Sequence, residues 1–144
     1  MKKGGGMSIE LEILNVNENF YQAFNRGDLN LMKSVWAQND SVVCIHPGWE
    51  VLRGFDVIIQ SWEKIFVGSE NLEIKLSEIK VSGDGGMVWV SCQENLFAMS
   101  MSGVQVSKVH ATNLFEKVRD QWKMVLHHAS SVPQLVRQDQ ISNN

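Results

Sequence analysis

Clustered cations, long apolar runs, cysteines and prolines are all scarce in this sequence, and each scarcity closes off a class of protein. The chain has 144 residues with 13 Lys+Arg against 16 Asp+Glu, a formal net charge of -3. No Lys/Arg cluster occurs outside the "MKK" start. A phosphate backbone would need a basic patch, so no nucleic-acid partner is expected. No run of about 18 apolar residues occurs, so no membrane partner is expected either. The opening "MKKGGGMSIE" is charged, then glycine, then polar, and lacks the apolar centre of a signal peptide; a cytoplasmic location follows as an expectation. The two cysteines, Cys44 and Cys92, lie inside apolar, strand-like runs. In a reducing compartment they read as small buried hydrophobes and not as a disulfide. Missing too are G-x-S-x-G, a phosphate loop, CxxC and HExxH. There is no internal repeat.

What is present is a globular composition, 44% hydrophobic and 20% charged, of a length that makes one domain. Residues 1–7 read as a leader, 8–133 as a single domain and 134–144 as a polar tail. Ser8 to Arg26 has the spacing of a helix, with Ile9, Ile13, Val16, Phe20 and Phe24 on one stripe. Ser8 can cap its start and Gly27 its end. Asp28 to Trp36 reads as a short second helix. "SVVCIH" is a short strand broken by Pro47-Gly48, and "WEVLRG" a brief strand that turns back. "FDVIIQSWEKIF" returns to helical spacing, with Val57, Ile58, Ser61, Trp62, Ile65 and Phe66 as its stripe.

After Gly68 the pattern alternates. "LEIKLSEIKVS", "MVWVSCQENLFAMS", "GVQVSKVHATNLFEKV" and "QWKMVLHHASS" are four strands separated by short turns. Helices first and strands after define the α+β class. Twisted long strands with three helices on one side curl into a cone: a strongly curved, mostly antiparallel sheet whose concave side holds the helices. The open end would be a pocket.

If Arg119-Asp120 is a two-residue turn, Val118 faces Gln121 and regular pairing follows. Phe115 then lies opposite Met124, Asn113 opposite Leu126 and Ala111 opposite His128. His128 and Asn113 become the polar exceptions on an apolar face. Such groups either satisfy each other or contact a ligand. His127 points the other way, so the "HH" pair cannot hold one metal ion; neither metal nor cofactor is expected. His46 ends an apolar strand at a chain reversal. It can act as a general base or simply hold the turn. Trp62 and Trp49 can pack in the core or wall a ligand.

The segments "NFYQAFNRGDLNLMKSVWAQNDSVVCIHPGWEVLRGFDVIIQSWEKIF" and "HATNLFEKVRDQWKMVLHHASS" resemble the SnoaL-like branch of the nuclear-transport-factor-two-like superfamily. The resemblance spans Ser8 to Pro133 and implies a cone fold, a homodimer, and a cavity for a small, partly apolar ligand. Relatives of this kind include ketosteroid isomerases, polyketide cyclases, scytalone dehydratase and limonene epoxide hydrolase. Others, such as the association domain of calcium/calmodulin-dependent kinase, do no chemistry. Aligned to ketosteroid isomerase, His46 stands where the catalytic Asp lies, and Phe20 replaces the Tyr of the oxyanion hole. Its neighbour Tyr21, about 100° away on the helix, is kept as a ligand contact. Arg53 finds no partner acids on the inferred inner faces, which disfavours epoxide hydrolysis.

The expectation is therefore acid-base chemistry of isomerase, cyclase or dehydratase type through His46. Trp62, Asn113, His128, Trp49 and Tyr21 would contact the ligand. A non-catalytic oligomerisation or protein-association module is the alternative.

Overall fold

The Ser8 side chain accepts a hydrogen bond from Leu11 N (3.2 Å), and from there α1 runs Ile9–Arg26. It stops at Gly27, whose φ of 63° is the left-handed conformation that a glycine adopts without strain. Asp28 caps α2, Leu29–Val35, through Leu31 N (3.0 Å). These contacts belong to a computed structural model, which describes residues 8–134. The expected leader, and all of the expected tail but its first residue, lie outside the described residues. The remaining elements are β1 (Val43–Ile45), β2 (Leu52–Arg53), α3 (Phe55–Val67), β3 (Leu72–Asp84), β4 (Met87–Ser100), β5 (Gly103–Val118) and β6 (Gln121–Ser131).

The strands form one six-stranded sheet in the order β2-β1-β6-β5-β4-β3. All pairs are antiparallel except β1 with β6. The sheet is curved and unclosed, and α1 packs across it against β3, β4 and β6. This is the α+β cone. Its concave side holds the apolar core, including Phe20, Met32, Trp36, Ile58, Val88, Val90, Phe115 and Met124. Among the described residues no helix is long and apolar enough to cross a membrane.

Two details depart from the sequence reading. On α3, Val57 is exposed and Ile59 is buried, so the inward stripe is rotated towards Ile58, Ile59, Ser61 and Trp62. The second departure decides the site. Arg119 and Asp120 do form the hairpin turn, with φ of 51° and 67°, and Val118 pairs with Gln121. Phe115 pairs with Met124, but Leu114 pairs with Leu126. Val125 is thus an extra residue, a β-bulge. Beyond it every β6 side chain changes face. Asn113 pairs with His127 and Ala111 with Ala129. The pairing expected from regular alternation, Asn113 with Leu126 and Ala111 with His128, is corrected by one residue.

Candidate functional site

β1 carries His46 to the mouth of the cone. Trp49 N donates to His46 O (2.9 Å), and Gly48 has a φ of 82°. Proline at the second position and a left-handed glycine at the third make this a type II turn. The turn ends the strand while the imidazole points inward. It lies edge-on to Trp62 (centroids 4.6 Å apart) and Trp49 (4.8 Å). His46 Nε2 is 2.9 Å from Ser61 Oγ, and Ser61 Oγ donates to Ile58 O (2.6 Å). The hydroxyl's single proton is therefore committed, so Nε2 must carry the proton of the imidazole. Among the described residues, the Nδ1 lone pair has Cys44 Sγ as its one polar neighbour, 3.8 Å away.

A second polar group runs from α1 across β4, β5 and β6. Tyr21 Oη donates to Glu94 Oε2 (2.7 Å). Asn113 Nδ2 donates to Asn17 Oδ1 (2.9 Å) and to Tyr21 Oη (3.1 Å). Asn113 Oδ1 must then accept from His127 Nδ1, 2.6 Å away. That fixes the neutral tautomer of His127, with a bare Nε2. All five side chains are buried. Around them lies a cavity of about 210 Å³, lined by both groups and by aromatic and aliphatic side chains. That is smaller than the roughly 300–1,000 Å³ of sites for drug-sized ligands.

Burial sets the charges. It pushes the Glu94 carboxyl up to about 7, although the Tyr21 hydrogen bond pulls the other way. It lowers His46 to about 4 and, with some repulsion from His46 and His128, His127 to about 3. Both imidazoles are neutral at pH 7. Tyr21 is raised well above its ordinary value by burial and by Glu94, so its phenol keeps its proton. Cys44 and Cys92 are raised by burial as well and are not thiolates.

His46, Trp62, Trp49 and Tyr21 all line this cavity. Asn113 stands one layer behind it, holding Tyr21 and His127. His128 does not belong: it is exposed, on the far face of the sheet, because the Val125 bulge puts His127 inside instead. The inference that no acid lies on an inner face is also corrected, by Glu94. The signal was available, since Val88, Val90, Cys92 and Glu94 share one side of an alternating strand. Among the described residues no set of three or more His, Cys, Asp or Glu is placed to hold a metal ion.

Known proteins share this frame. The sequence profile of the SnoaL-like domain matches residues 13–134. A proposed dehydratase of the NTF2-like family from Streptomyces avermitilis superposes with a TM-score of 0.78 at 30% identity, over 87% of this chain and 97% of that one. A proposed calcium/calmodulin-dependent protein kinase type II association domain from Thiobacillus denitrificans gives 0.74 at 28% identity, over 82% and 93%. F-box protein SKIP8 of Arabidopsis thaliana is 29% identical over 118 residues, 82% of this chain. The chain spans 48% of that relative's length.

Proposed function

The chain belongs to the SnoaL-like domain family, and from that premise we propose that it binds a small, partly apolar molecule in the cone and moves a proton on it, as isomerases, cyclases and dehydratases do. One observation carries this reading: a buried carboxyl, Glu94, held near neutrality beside a cavity that also presents two neutral imidazoles. A general base works best when its pKa lies near the working pH. Glu94 meets that condition better than His46, which burial makes a weak base. In this reading Glu94 takes the proton from carbon, and His46 and His127 position the substrate's polar groups. The dehydratase relative favours loss of water: the C–H proton goes to Glu94, a C=C bond forms as the C–O bond breaks, and Glu94 hands that proton to the departing hydroxide, which leaves as water. No metal or cofactor is invoked, and the working unit is a cytoplasmic homodimer.

Carbon-13 labelling of the glutamates tests the central claim. A buried carboxyl titrating near pH 7, and lost in Glu94→Gln, supports it. A Glu94 that titrates with the surface carboxylates removes it. A second reading, an association module, is favoured by the 28%-identical association domain and by apolar side chains such as Trp89, Val104 and Val106 exposed on the outer sheet. Light scattering separates the two: assemblies larger than a dimer favour association.

A further inference from the structure

The donors and acceptors around the cavity are unequal in number, and the imbalance describes the ligand. Tyr21 gives its one proton to Glu94. His46 gives its Nε2 proton to Ser61, and His127 its Nδ1 proton to Asn113. The backbone is committed as well: Ile74 N bonds Asn25 Oδ1, Leu72 N bonds Ser69 O, and Trp49 N bonds His46 O. Pro47 has no N–H. The Trp62 indole N–H is buried, without a partner among the described residues, and has no surface open to a ligand. With Glu94 ionised, above about pH 7, the Trp49 indole is the one side chain among the described residues that keeps an uncommitted proton at the cavity, and it is 43% exposed at the mouth.

The acceptors are the reverse case. His127 Nε2 and Glu94 Oε1 have no hydrogen-bond partner among the described residues, and neither is a sealed, unsatisfied atom. His46 Nδ1 has only a sulfur beside it. No Lys or Arg lines the cavity, whereas Phe20, Phe24, Trp49 and Trp62 do. A carboxylate or phosphate head would find lone pairs facing lone pairs, with no cation to offset the loss of its hydration. A hydroxyl or ammonium head would find acceptors, and an ammonium would also find aromatic faces.

We infer that the cavity selects a molecule whose head group donates hydrogen bonds and carries no negative charge, an alcohol or an amine on a compact apolar body. This rests on the reading of the cavity as the binding site. Size supports a compact body: a dry cavity of about 150 Å³ already accepts benzene, and this one is about 210 Å³.

Four probes on one ring frame provide the test, by calorimetry at pH 8: benzene, benzyl alcohol, benzylamine and benzoate. The expected order is benzylamine, then benzyl alcohol, with benzoate at least about tenfold weaker than the alcohol. Glu94→Gln should weaken the amine about tenfold, because Tyr21 holds the single amide oxygen and the NH2 faces the cavity, and should change the alcohol less, because a hydroxyl accepts as well as donates. Benzoate binding as well as the alcohol overturns the inference. Benzene binding with no gain from either donor head overturns it while leaving the cavity as a binding site. Failure of all four overturns both the inference and the ligand-binding reading. The wild-type ranking decides these outcomes whether or not the variant folds.

Discussion

The two ends of the concave face are built from the same strands and do opposite things. At the closed end Val88 pairs with Phe115 and Phe115 with Met124. Trp36 bridges to Met124, and Ala37 N donates to Met124 O (3.0 Å). Val88, Phe115, Met124 and Trp36 are all fully buried there. A few residues along, the inward positions are Glu94, Asn113 and His127, and Glu94 and His127 line a cavity. The filled end supplies packing and apolar burial, which stabilise. The open end buries ionisable groups, which is unfavourable unless hydrogen bonds compensate. A single face thus carries apolar packing in one half and buried polar groups around a cavity in the other.

The largest expected effect opposes the two ends directly. Phe115→Ala should cost about 3–5 kcal/mol in urea unfolding, as large core truncations do. Trp49→Ala, at the mouth, should cost less than about 1 kcal/mol. Equal losses would erase the distinction between a filled and a hollow end.

Glu94→Gln sharpens it through pH. The folded carboxyl titrates at about 7 against an ordinary 4.5, so the folded state holds its proton more tightly than the unfolded chain does. The wild-type contribution is therefore fully present below pH 4.5 and lost as pH rises through about 7. Above pH 7 the glutamine variant should be more stable than wild type by up to about 3 kcal/mol, and near pH 4 the two should converge. Urea midpoints at pH 4 and pH 8 measure this; a gap that does not depend on pH would mean that Glu94 is not held near neutrality.

Tyr21→Phe should cost about 1–2 kcal/mol by leaving Asn113 and Glu94 short of a partner. It should also move the Glu94 titration upward, since the Tyr21 bond is what lowers it; carbon-13 shifts would report the direction. The smallest effect tests the bulge. His128→Ala should change stability by less than about 0.5 kcal/mol, whereas His127→Ala breaks the bond to Asn113. Reversed sensitivities would place the wrong histidine inside.

Much of the frame was legible because it rests on local rules. Ser8, Gly27 and Asp28 bracket helices through capping, and the strands after Gly68 announce themselves by alternation. Trp62 could be placed inward from spacing alone, whereas for His46 the spacing left open a base at the mouth or a residue that holds the turn. His128 could not, because a bulge has no signature in "WKMVLHHAS"; Val125 is an ordinary strand residue. Glu94 was legible in principle, by counting from Val88, but a lone acid in a strand reads as a surface residue until its neighbours are known.

The sequence by itself determined the class and the element order, because periodicity and caps act over a few residues. Only the tertiary structure decided which histidine faces the cavity, that Tyr21 hydrogen-bonds Glu94, and that burial raises the Glu94 carboxyl to about 7. Those depend on the pairing of residues from Tyr21 to His127, far apart in the chain, and on how much water their packing removes. Neither register nor desolvation is a property of any short stretch of sequence.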